Sequence, residues 1–172
     1  LRLDLGLLLG DASLRAGDAV DSMLAFRETA ELALQHDSQE AAARAAIGYT
    51  EPGWRYNAID ATTVDLLRRS LALLDESDSD LRARLLANFA RATQETKSDD
   101  DSLAMVAEAT AMARRLDNPR ALVDCLRIRF NIDREPANIH ERLALADEIR
   151  DLTQNLEDKA LTRVGGIVTK LT

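Results

Sequence analysis

The sequence predicts an all-α fold, a solenoid of antiparallel helix pairs, on three observations. Seven glycines and three prolines are scattered through 172 residues rich in Ala, Leu, Arg, Glu and Asp, so helix is favoured almost everywhere. Apolar residues recur at i, i+3, i+4 and i+7, as in Leu81, Leu85, Leu86, Phe89 and Ala92, and no stretch alternates as a strand does. The chain also matches itself when shifted by 40 residues.

Nine helices are expected, at about 1–16, 19–35, 38–49, 61–75, 79–96, 101–116, 119–131, 139–155 and 159–171. The first stops at Arg15-Ala16-Gly17, and Asp18 caps the second. Asp37 is expected to cap the third, with Glu40 as its reciprocal partner. A loop, Tyr49-Thr-Glu-Pro-Gly-Trp-Arg-Tyr56, is expected to follow, and Asp60 opens the fourth helix. The acidic turn Asp75-Glu-Ser-Asp-Ser-Asp80 separates the fourth from the fifth. Ser98 with Asp101 opens the sixth, Asn118 before Pro119 the seventh, and Asn138 with Glu141 the eighth. The chain starts and stops inside helical patterns without an initiator Met, as expected of a piece of a longer polypeptide. The ninth helix then lacks its partner helix, and its apolar face is expected to be covered by self-association or another contact.

The 40-residue shift aligns Leu1, Ala41, Leu81, Ala121 and Leu161 in one column. Leu5, Ala45, Leu85 and Cys125 form a second, and Leu9, Tyr49 and Phe89 a third. The repeats are expected at 1–37, 38–77, 78–117 and 118–157, with a half repeat at 158–172, in a single helical-repeat domain. One helix pair cannot bury both its faces, so neighbours stack into a continuous core.

The first repeat resembles a tetratricopeptide motif. Leu9-Gly10 precedes Gly17-Asp18, and Ser22, Phe26 and Thr29 supply the small, aromatic and small positions; Phe89, Ala90, Ser102, Val106 and Ala109 follow the pattern again. The period is longer than the usual 34, and Gly6 stands where that motif carries Trp. The resemblance implies a right-handed array in which small residues let paired helices approach and Phe26 fills the gap to the next repeat. A narrower likeness rests on Leu14-Arg-Ala-Gly-Asp18, Ala46-Ile-Gly-Tyr49, Pro52-Gly-Trp54, Leu66-Leu-Arg-Arg-Ser-Leu-Ala-Leu-Leu74, Leu81-Arg-Ala-Arg-Leu-Leu-Ala87, Met112-Ala-Arg-Arg-Leu-Asp-Asn-Pro119 and Glu141-Arg-Leu-Ala-Leu-Ala146. These stretches are similar to the helical-repeat region of large bacterial ATPase-type transcriptional regulators, LuxR-type and related. That likeness implies a cytoplasmic, non-catalytic module that binds a protein, a peptide or the neighbouring ATPase and DNA-binding domains. An effector-sensing domain or a passive spacer are the other roles it allows.

Composition narrows the chemistry. The net charge of −8, with basic residues no denser than Arg68-Arg69 and Arg114-Arg115, argues against nucleic-acid binding. No apolar run reaches the 18 residues of a membrane span. A single cysteine, Cys125, fits a reducing compartment and lies in an apolar column, as a small buried hydrophobe would. No G-x-x-x-x-G-K-[ST] loop is present, and Gly165-Gly166 reads as a close helix contact. His36 and His140 have no second His or Cys at ligand spacing, and the acidic runs lack the glycine turn and terminal Glu of a calcium loop. No cofactor, metal or catalytic residue is therefore expected.

Two features are candidates for binding. The loop around Trp54 and Tyr56 gathers the only Trp and both tyrosines, and serves either as a contact site or as cover for the end of the second repeat. Polar columns run along the first helix of each repeat: Asp4, Arg44, Arg84 and Asp124 in one, Asp11, Glu51, Arg91 and Asn131 seven residues later in the other, with Arg127 beside them. These positions face the concave side of a tetratricopeptide-type array. They would line a groove for a partner, or form a ladder of ion pairs between repeats.

Overall fold

The computed structural model describes residues 1–56, 59–94, 99–133 and 138–154, the side chains of residues 53–56 and 99 excepted. Among the described residues there are eight α-helices and no strand: α1 (Arg2–Ala16), α2 (Ala19–Gln35), α3 (Gln39–Tyr56), α4 (Ala61–Leu73), α5 (Asp80–Ala92), α6 (Asp99–Arg115), α7 (Pro119–Ile132) and α8 (Ile139–Gln154). The helix expected at 159–171, with its exposed face, lies outside the described residues.

Short polar side chains start three helices where the sequence places them: Asp18 accepts from the Asp21 N–H at 3.1 Å, Asp60 from Thr63 at 2.7 Å and Asn118 from Ala121 at 3.0 Å, each filling a donor the helix leaves open. Ser79, which the sequence reading did not name, caps α5 in the same way, accepting from the Arg82 N–H at 3.1 Å. Asp37 corrects the expectation of a cap. Its φ of 52° places it in a left-handed turn, while the carbonyl of Ala33 accepts from both His36 and Ser38 N–H at 3.2 and 2.9 Å. Gly17 at 86° and Asp117 at 48° close α1 and α6 by the same kind of turn.

Residues 50–56 also depart from expectation. They are helical, the closing turns of α3, and the loop expected there does not exist. A proline inside a helix forfeits a backbone bond and crowds the carbonyl four residues back. Here Pro52 is almost wholly buried, and Thr50 Oγ1 donates to the Ile47 carbonyl at 2.7 Å one turn earlier. Packing of the ring and the preceding Ala-rich turns outweigh the local signal.

The chain divides into two compact units, Leu1–Ser77 and Asp78–Thr172. In the first, α2 packs against α1, α3 and α4, and α3 also touches α1 and α4. Its core is largely alanine (Ala25, Ala30, Ala33, Ala42, Ala43, Ala45, Ala46) with Phe26, Leu66 and Leu67 among it. Alanines let helix axes approach, and glycines go further. A methyl group on Gly10 would lie 2.7 Å from the Phe26 ring and one on Gly48 would lie 2.5 Å from it, so this ring is clasped between α1 and α3. A methyl on Gly6 would strike Thr29, whose hydroxyl bonds to the Ala25 carbonyl of its own helix at 2.7 Å. The Ser22 hydroxyl crosses to the Gly10 carbonyl at 3.0 Å, and that of Ser70 to Ala42 at 3.2 Å. The small positions of the first repeat thus touch the neighbouring helix, as the sequence suggests.

In the second unit α5 contacts α6 and α7, α6 contacts α7, and α7 contacts α8. The side chains are bulkier: Val123, Leu126 and Phe130 of α7 cluster with Leu145, Ala146 and Ile149 of α8, and Arg142 lies 4.7 Å above the Phe130 ring. No helix among the described residues is long and apolar enough to cross a membrane.

Candidate interaction surface

The first polar column behaves differently in the two units. On α5 and α7, Arg84 Nε meets Asp124 Oδ2 at 2.7 Å, with side chains only 18% and 13% exposed. This is the ladder reading: a shielded charge pair joining one first helix to the next. Asp4 and Arg44 in the first unit remain on the surface, 76% and 49% exposed. Arg44 approaches Glu40 of its own helix at 3.5 Å, a loose pair in water. The Asp4 carboxyl is held below its ordinary pKa, first by a hydrogen bond from the terminal amine and then by that group's charge, with the Arg44 charge adding to it.

The second column is half-buried throughout: Asp11 on α1, Glu51 on α3, Arg91 on α5 and Asn131 on α7. Asn131 donates its amide to the Arg127 carbonyl at 2.7 Å, and Arg127 is itself half-buried on the same helix. Trp54 and Tyr56 belong to the closing turns of α3, and their side chains lie outside the described ones. The structure therefore brings Asp4 within electrostatic reach of Arg44, and Arg84 into contact with Asp124, each pair inside its own unit.

Second helices carry ion pairs that the sequence reading passed over. Arg69 of α4 grips Glu31 of α2 through both guanidinium ends at 3.1 and 3.0 Å and also holds Asp65 at 3.1 Å. The Asp65 carboxyl is lowered chiefly by its hydrogen bond from Arg69. Arg114 of α6 reaches both carboxylate oxygens of Glu148 on α8 at 2.8 Å. The separation of about 34–38 residues between such partners is a signal available in the sequence, hidden by the many other Arg and Glu pairs at similar distances.

A cleft of about 380 Å³ opens beside the first unit's helices, lined by Arg2 of α1 with Arg27, Glu28, Glu31, Leu32 and Gln35 of α2. Its charges are mixed, and Glu31 is already engaged by Arg69.

Cys125 is buried, contacts the Ala83 carbonyl at 3.7 Å, and burial pushes its thiol up to about 12, far from a thiolate at neutral pH. No group of three His, Cys, Asp or Glu among the described residues is placed to hold a metal ion. His36 closes α2 and His140 stands exposed in the first turn of α8.

The largest feature missed by sequence reasoning is on α1. Leu5, Leu8 and Leu9 are 57%, 60% and 59% exposed, whereas Ala45, Leu85 and Cys125, in the column of Leu5, are at 0%. A helix apolar on all sides is normally internal, and that signal was present in the run Leu1-Arg-Leu-Asp-Leu-Gly-Leu-Leu-Leu9. No protein-family model, curated protein or solved structure matches the chain.

Proposed function

We propose that this chain is a non-catalytic interaction module: a tetratricopeptide-like helical array, cytoplasmic and bacterial, of the kind found in LuxR-type and related transcriptional regulators. Consecutive first helices touch directly, α1 with α3 and α5 with α7, as do the second helices α2 and α4. Within each unit, that packing supports the reading, because it is how adjacent helix pairs of a repeat array stack. The partner is a polypeptide, most simply a neighbouring ATPase or DNA-binding domain of the same protein. The surface charge of Asp4, Glu40 and Arg44 on the first unit makes its contact, while Arg84 and Asp124 maintain the fold of the second.

The test is to read the gene on both sides of this segment and measure binding of the flanking domains in trans. Arg44→Ala is expected to weaken binding without loss of helix, and the interaction to fade with salt. Equal binding by Arg44→Ala and the parent would refute this role for the surface.

A second reading is an effector sensor, with the open, mixed-charge cleft at Arg2 and Arg27 as its ligand surface. A metabolite that raises the melting temperature of the parent, and not that of Arg27→Ala, would support the sensor over the polypeptide partner.

A further inference from the structure

We propose that the outer face of α1 is a self-association surface that seats α1 of a second copy, antiparallel to itself. This goes beyond the binding role above, which has a different partner and shares only Asp4 with this surface, its other charges being Glu40 and Arg44 of α3.

Leu7 and Gly10 are the buried residues of α1 and define its inner side. With 3.6 residues per turn, Leu5, Leu8, Leu9, Ala12 and Ala16 fall on the opposite side as one stripe, and all five are exposed. The stripe holds a few hundred Å² of apolar surface, the scale at which a patch marks an association site. It is smaller than the roughly 800 Å² per partner of a standard interface, so the dimer is weak and depends on concentration.

Charge selects a second copy as the occupant. Asp4 and Arg15 lie eleven residues apart on α1, about three helical turns, and so share one edge of the stripe. A two-fold axis crossing the helix between residues 9 and 10 sets Asp4 of each copy against Arg15 of the other, with Leu5, Leu8, Leu9 and Ala12 packed between them. The edge is thus complementary to itself when reversed, as an isologous contact requires. Arg2, on the far edge, then faces the turn at Gly17. Asp4 meets the terminal amine at 3.0 Å within a single copy, but both groups are more than three-quarters exposed, so that pair is exchangeable for Arg15.

Sedimentation of the whole chain over a range of concentrations tests this, with circular dichroism confirming that each variant stays helical. The parent is expected to dimerise, Leu8→Glu to be monomeric, and salt to shift the parent toward monomer. Asp4→Arg or Arg15→Asp alone is expected to weaken dimerisation at least about tenfold by setting like charges together, and the double reversal D4R/R15D to restore it. A parent that is monomeric at every concentration would overturn the proposal and leave the stripe to a different helix. So would a dimer that survives Leu8→Glu, or a double reversal as weak as the single ones. Loss of flanking-domain binding in Arg44→Ala bears on the proposed function alone, because Arg44 lies on α3.

Discussion

Gly17 has a φ of 86°, and a methyl group added there would meet nothing within 4 Å. Gly17→Ala therefore tests the backbone alone. It is expected to cost about 1 kcal/mol in urea unfolding, the left-handed penalty less the entropy alanine removes from the unfolded chain. Gly48 is the opposite case, helical and crowded at 2.5 Å by Phe26. Gly48→Ala should cost roughly 1–3 kcal/mol by overpacking. Phe26→Leu in the same chain should recover part of that loss, read as a coupling energy of about 0.5–3 kcal/mol in a double-mutant cycle. Asp60 adds a pH dependence. Burial alone would raise its carboxyl, but bonds from the Thr63 N–H and hydroxyl and from the Tyr49 hydroxyl outweigh burial and hold it below its ordinary value. Its contribution is then complete above the unfolded pKa of about 3.9 and is lost as pH falls through the lower folded value. Acid titration of stability should be flatter in Asp60→Asn, whose side chain still caps α4. Caps such as Asp18, Asp60 and Asn118 were legible because they bond three residues ahead. Asp37 was not, because its turn is decided by which carbonyl of α2 the chain returns to.

Helices of this chain were legible wherever apolar period and cap agreed, and the failure came where one residue spoke against its surroundings. Pro52 reads locally as a breaker, yet α3 continues to Tyr56 because the ring is buried and the preceding turns are alanine. The polar columns show the same limit. Their 40-residue spacing set Arg84 and Asp124 in one column, but spacing says nothing of depth, and depth separates a structural pair from a surface one. Arg84→Ala leaves the Asp124 carboxylate in a shielded site without its partner, and should cost about 1–3 kcal/mol. Arg44→Ala, at an exposed site, should stay within about 0.5 kcal/mol of the parent. Equal losses in chemical denaturation would mean that the two columns are structurally equivalent, against the difference in burial.

The two units differ in what they bury. Leu1–Ser77 fills its core with alanine around Leu7, Phe26, Ile47, Tyr49, Leu66 and Leu67, while Asp78–Thr172 buries, beside alanines of its own, the larger set Leu85, Leu86, Val106, Met112, Val123, Leu126, Ile128, Phe130, Ile132, Leu145 and Ile149. Apolar burial contributes about 25 cal/mol per Å², and an alanine side chain has little area to offer, so close approach of helices in the first unit does not replace the lost surface. The first unit also leaves Leu5, Leu8 and Leu9 of α1 in water. Hydrogen exchange on the intact chain is expected to show lower protection for amides of α1–α4 than for those of α5–α8, as two cooperative blocks divided near Ser77. The exposed segment from Asp75 to Asp78 should be the first site of limited proteolysis, with Glu76 open to a glutamate-specific protease. Raising protein concentration should then increase protection in the first block selectively, since pairing through α1 adds its stabilisation there by mass action. Uniform exchange across the chain, insensitive to concentration, would show that the units unfold as one and that α1 gains nothing from a second copy.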